Sequence, residues 1–372
     1  MNDKAISPAK RYSTIKYVFG IADTFTLVIL LLVFQFFGFS SLLAGALNRL
    51  AGNYYLALAG YLCVVYAVYY IMDLPSNFYR SFMLEHQFHL SDQKAGDWLR
   101  DQFKSFAISL IIFIILAEAF YLAMNIFPGD WWVVSSLFWV FFSVVLARLT
   151  PVLLIPLFFK YKPLSDTALK SRILGLAEKM KVKLLDVFEI DFSKKTLKAN
   201  AAFVGVGRTK RVILADTLKD KYSYDEIEVI LAHEFSHYRL KHLLLLISIN
   251  AVVIVASFYL IFVSGPYAVK AFSLGALSDI ASFPLIALYM AAMGIICAPL
   301  TNYISRCFER DADRMALEVT GLKEAFISTM RKLGEQNLAD SDPAPVIKIF
   351  FFDHPPIGER IEMAKRFPEN LK

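Results

Sequence analysis

Six stretches of this chain are long and apolar enough to cross the roughly 30 Å hydrocarbon core of a bilayer. They lie near 17–39, 54–73, 106–127, 131–157, 243–263 and 283–300. That pattern predicts a mainly α, multi-pass membrane protein of about six spans. Composition agrees: 57% of residues are hydrophobic, 19% are charged, and mean hydropathy is +0.51, against about 45–50% apolar and about 25% charged in soluble domains. The head "MNDKAISPAKRYSTIK" has the charge of a signal-peptide start. The apolar run behind it is too long and has no small-residue cleavage site, so it reads as a retained first span.

The net charge is +6 and the pI about 9.0. A basic balance in a soluble chain would raise nucleic acid as a partner. Here no basic, aromatic-interleaved module exists, and the cations sort by loop, so the partner they indicate is the lipid bilayer. Lys4, Lys10, Arg11 and Lys16 precede the first span, and Arg80, Lys94, Arg100 and Lys104 fill the second connection. Residues 158–242 and the tail after Ser305 are densely basic, whereas the other three connections are nearly bare. The positive-inside rule then puts both termini and the 158–242 segment in the cytoplasm. Cys63, Cys297 and Cys307 form no CxxC pair and are odd in number, which supports neither a disulfide framework nor a thiolate metal site.

Two regions follow: residues 1–157 with four spans, and residues 158–372 carrying the soluble part and the last two spans. In the second, 165–181 has helical periodicity, while 184–190 and 211–216 read as short strands. "KANAAFVGVG" between them predicts an extended edge closed by glycines. Ser223 and Glu226 make a capping box for a helix from about Tyr224 that is expected to run unbroken through the fifth span. The sixth span is expected to continue to a C-cap at Gly321. Another helix is expected over 322–337, and a short one after Pro355-Pro356.

The chemistry concentrates at the base of the fifth span. In His233-Glu234-Phe235-Ser236-His237 the two histidines are at i and i+4, on one helical face, where both imidazoles can reach one Zn²⁺. Glu234 is placed to take a proton from water there. His242 falls off that face and reads as a membrane-boundary residue. A hydrolytic zinc site needs a third protein ligand and an open position. Glu309 and Asp313, again i and i+4, offer one carboxylate for the metal and one to orient an imidazole. The competing reading is a solvated helix end whose acids pair with Arg306, Arg310 and Arg314. His354, beside two prolines, is either a rigid donor toward a developing oxyanion or a loop histidine. Within the spans, Glu118 is the polar residue hardest to place against lipid. His86 and His89 read as surface residues.

Several segments in order carry a resemblance. "LPSNFYRSFMLEHQF" (74–88), "PLFFKYKPLSD" (156–166), "NAAFVGVGRTKRVILADTL" (200–218), "HEFSH", "SRCFERDAD" (305–313) and "HPPIGERI" (354–361) resemble the type I CAAX prenyl endopeptidases. These are membrane zinc metalloproteases of the gluzincin kind. The resemblance implies a small α+β metallopeptidase domain on the cytoplasmic side and one Zn²⁺ per chain, bound by His233, His237 and Glu309. It implies Glu234 as general base, Asp313 behind the metal, Asn200 and His354 on substrate and oxyanion, and Arg360 supporting that corner. It also implies helices enclosing a wet chamber, and a membrane-associated peptide substrate, by family habit a prenylated C-terminus. The chain departs from the family where Gly is expected near 89 and His89 stands, and it begins one span later than eukaryotic members. An HtpX-like quality-control protease shares the chemistry with other substrates. A non-catalytic scaffold or channel is the alternative of another class.

Overall fold

A computed structural model of the protein describes residues 7–205 and 210–368. Lys4 of the basic head and the glycine at 207 lie outside the described residues. The membrane part runs α1 (Pro8–Phe36), α2 (Phe39–Ala51), α3 (Tyr54–Phe78), a π-helical turn into α4 (Leu84–Gln87), α5 (Ala95–Ile126) and α6 (Trp131–Leu149). Helices α1, α3–α4, α5 and α6 are four of six candidate spans. The protein is thus an integral, multi-pass membrane protein. Helix α2 lay in an expected connection. Its 13 residues, bracketed by Gly38 and Gly52 at positive φ, reach only about 20 Å, too short to cross.

Then follow β1 (Tyr161–Pro163), α7 (Thr167–Lys179), β2 (Asp186–Ile190), β3 (Ala201–Val204), β4 (Arg211–Ala215), α8 (Asp216–Lys219) and α9 (Tyr224–Arg239). The strands form one mixed sheet in the order β1-β2-β4-β3, with β2 and β4 parallel and the outer pairs antiparallel. Strand β1 was not expected. Its three residues are too few to carry an alternating pattern. Alternate residues of β2 and β4 (Val187, Val212, Leu214) pack with Leu169, Ile173 and Leu176 of α7 and with Ile227, Leu231 and Phe235 of α9. This core holds the α9 backbone rigidly behind its histidines. The capping box forms in full: Ser223 Oγ accepts from Glu226 N (3.3 Å), and Glu226 Oε2 accepts from Ser223 N (2.7 Å).

The chain closes with α10 (His242–Ala271), α11 (Phe283–Thr320), α12 (Lys323–Gln336), α13 (Pro345–Phe351) and α14 (Ile357–Arg366). The single helix expected from Tyr224 through the fifth span does not exist. It stops after Arg239, Lys241 adopts a left-handed conformation (φ 60°), and α10 restarts at His242. The sixth span does continue as one helix to Gly321, which caps it at φ 68°. Buried residues on α11 occur only at its two ends, Phe283–Ile286 and Arg306–Leu317. The first end joins an aromatic-rich cluster with Tyr61, Phe120, Tyr121, Trp131 and Phe258. The second end packs against α9 and the sheet domain.

Candidate metal centre

Helices α9 and α11 meet along the face that carries His233, His237 and Glu309. The three donors converge: His233 Nε2 lies 3.1 Å from His237 Nε2 and 3.2 Å from Glu309 Oε2, and His237 Nε2 lies 3.2 Å from Glu309 Oε1. Among the described residues these form a three-residue group able to hold a metal ion. Donors about 2.0–2.1 Å from a tetrahedral ion stand about 3.3–3.4 Å from one another, so the spacing fits a small cation. Glu309 Oε2 is also buried and receives no well-directed hydrogen bond, a lone pair turned toward the gap between the rings.

A salt chain backs this group. Asp313 Oδ1 lies 2.9 Å from His233 Nδ1, close though poorly aligned. Arg360 donates two bonds to Asp313, Nε to Oδ2 (2.7 Å) and Nη2 to Oδ1 (2.5 Å). Asp313 is wholly buried and Arg360 nearly so. The solvated-helix-end reading therefore fails, because the arginines of α11 turn elsewhere. Arg314 binds Glu318 at 3.0 Å, Arg310 reaches Cys307 Sγ at 3.3 Å, and Arg306 donates to the carbonyls of Lys348 (3.0 Å) and Phe352 (2.5 Å).

Burial depresses His233, but the carboxylates of Asp313 and Glu309 outweigh it and push the imidazole up to about 9. Burial pushes the half-buried Glu234 above the usual carboxyl range, against the pull of His233 and His237. That is the direction a general base near neutrality requires. His354 sits across the site with Nε2 3.4 Å from Glu309 Oε1, and its Nδ1 is 2.8 Å from Asp353 Oδ1. The Asp353 bond raises His354, and the same bond lowers Asp353. Asn200 lies just before the edge strand β3, exposed, with its backbone carbonyl accepting from Ala215 N at 3.0 Å.

Two roles escaped the sequence reading, which named Arg306 only as a partner for the α11 acids and did not name Asp353. Asp353, adjacent to His354, orients its ring. Arg306 ties α11 to the segment that presents Asp353 and His354. His242 also changes place, for the break at Lys241 brings its Nδ1 to 3.0 Å from His237 Nδ1. On the membrane side, Glu85 of the 74–88 segment binds Lys198, two residues before Asn200, at 2.8 Å, and accepts from Tyr12 at 2.5 Å. His89 takes φ 55°, a conformation that suits glycine, which explains why glycine was expected there.

A multi-span bundle whose HExxH helix meets a glutamate from the sixth span, α11, defines a membrane metalloprotease. The comparisons agree. The sequence profile of peptidase family M48 matches residues 163–367, and a profile described as the CAAX prenyl protease N-terminal, five membrane helices, matches residues 1–160. The chain belongs to peptidase family M48. It is 30% identical to an uncharacterized metalloprotease of Bacillus subtilis, YhfN, over 98% of this chain and 87% of that one. It is 29% identical to CAAX prenyl protease 1 of Saccharomyces cerevisiae, over 81% and 70%. The fold matches the crystal structure of S. mikatae Ste24p with a TM-score of 0.84 at 25% identity, covering 97% of this chain and 89% of that one.

Proposed function

We propose that this protein is a zinc endopeptidase that cuts peptides presented at the membrane, with His233, His237 and Glu309 holding the ion. The observation that carries this is the convergence of those three donors at 3.1–3.2 Å from two helices. Zinc bound there supplies Lewis acidity to a peptide carbonyl and to water. Glu234 takes the proton from the attacking water and returns it to the leaving amine nitrogen. His354, held by Asp353, donates to the oxyanion as it forms. Asp313, neutralised by Arg360, fixes the His233 ring. The outer edge of β3 has no strand partner among the described residues. An extended peptide can add there, with Asn200 at its end.

The sheet and both metal-carrying helices lie in residues 158–372, which we read as the metallopeptidase domain, with 1–157 as the membrane domain. The loop-charge bias puts the site and both termini on the cytoplasmic side. By resemblance to the CAAX prenyl proteases, we read the helices as enclosing a wet space. For the substrate we favour a prenylated C-terminal peptide, because the 74–88 segment and the CAAX prenyl proteases among the relatives point that way. The test is hydrolysis of one peptide series with and without a farnesyl group by purified protein. Preference for the lipidated series supports this reading. Equal cleavage of both favours a quality-control role.

A further inference from the structure

His242 has no part in the mechanism above, yet it is 3% exposed and touches a proposed ligand. It follows His237 by five residues. On a continuous helix that spacing is about 500°, which places it roughly 140° away from His237. The helix is interrupted instead. Leu240 N closes the last turn of α9 on Ser236 O. Lys241 then adopts φ 60°, ψ 28°, which L-residues rarely do, and His242 opens α10.

The interruption turns His242 back toward the site. Its Nδ1 comes to 3.0 Å from His237 Nδ1, with the two rings 72° apart. The His242 ring lies flat on Phe308, centroids 4.5 Å and planes 10° apart. Phe308 directly precedes Glu309, so this stack couples His242 to both helices of the site. His237 meanwhile points Nε2 at His233 and Glu309. A neutral imidazole that offers its lone pair at Nε2 carries its proton on Nδ1, and that proton needs an acceptor. His242 Nδ1 stands where one is required. His233 has its own counterpart in Asp313.

We infer that His242 is a positioning residue: by accepting the Nδ1 proton of His237 it fixes that ring's tautomer and orientation for the metal. The inference rests on the reading of His237 as a ligand. A left-handed Lys241 between two helices is the backbone device that makes the contact. Partners of this kind change metal affinity about 10–100-fold when removed.

The test is zinc affinity of the full-length protein in detergent, measured by competition with a chelator, alongside the melting temperature of the metal-free form. His242→Phe keeps the ring on Phe308 but accepts no proton. We expect zinc affinity to fall 10–100-fold with the metal-free melting temperature little changed. His242→Asn restores an acceptor and is expected to bind zinc within a few-fold of the parent. Parent-like affinity in His242→Phe overturns the inference. If His242→Phe does not fold, His242→Leu and His242→Asn, near-equal in shape, decide it: weaker binding in Leu than in Asn supports the inference, and equal binding overturns it. His237→Ala separates the two levels. If it leaves zinc affinity intact, the ligand reading itself fails. If it abolishes binding while His242→Phe changes nothing, only the positioning role fails.

Discussion

Replacing Arg360 by Met should destabilise the protein well beyond an ordinary surface charge change. Arg360 makes two bonds to Asp313, at 2.7 and 2.5 Å, and Asp313 is fully buried. Met fills similar volume but leaves a buried carboxylate whose remaining close contact is His233. Breaking one side of a buried pair costs about 3–5 kcal/mol, a large share of the roughly 5–15 kcal/mol that holds a folded domain. For a domain of this size that corresponds to a fall in Tm of roughly 6–20 °C. The assay is thermal unfolding of purified protein with chelator present, so that metal binding does not mask the loss. Asp313→Asn alone strands the guanidinium and should also destabilise. The double variant Arg360→Met/Asp313→Asn removes both charges and should be more stable than the sum of the single effects predicts. A Tm for Arg360→Met within about a degree of the parent, or strict additivity in the double variant, would refute the reasoning.

Other outcomes follow from neighbouring contacts. Arg306→Met frees the carbonyls of Lys348 and Phe352 and lets His354 drift. Turnover should fall about 100-fold at unchanged zinc content, and a turnover within a few-fold of the parent would count against the clamp. Glu85→Gln leaves Lys198 without its counter-charge and should cost about 1–3 kcal/mol, read as a lower Tm, with a raised KM because Lys198 leads to Asn200. In the metal-free protein His233 is raised from 6.5 to about 9. Its protonated form therefore stabilises that protein fully below about pH 6.5, and the contribution is lost as pH rises through about 9. Metal must displace this proton, so binding near pH 7.5 should release about one proton from this site. Calorimetry in buffers of different ionisation enthalpy counts it, and a count near zero would contradict the His233 assignment.

Much of the architecture was legible because its signals are long or chemically specific. The six apolar runs, the Ser223–Glu226 box and the Gly321 cap each follow from residue type at fixed spacing. The pairing of His233 with His237 needed only the helical period. Which acids serve them was ambiguous, because Glu309 and Asp313 share their helix with three arginines. In the structure Arg306, Arg310 and Arg314 turn to other partners, and Glu309 and Asp313 lie against the histidines. The break at Lys241 was hidden for a different reason. "RLKHLLLL" contains neither Gly nor Pro, and the left-handed turn is set by how α9 packs on the sheet and α10 in the bundle. The roles of Asp353 and Arg306 were missed because one partners the ring of the next residue and the other partners backbone carbonyls 42 and 46 residues on, neither of which leaves a residue-type signal. The two glycines around α2, by contrast, were a visible signal of a separate short helix.

The most direct test of the central claim is zinc content and peptide hydrolysis measured on one preparation of Glu234→Gln. The substitution keeps the size of the side chain and leaves His233, His237 and Glu309 in place, so one zinc per chain should remain. Removing the base should lower turnover by about 100- to 10,000-fold. A variant that holds its zinc and still cuts peptide at the parent rate would contradict the proposed chemistry.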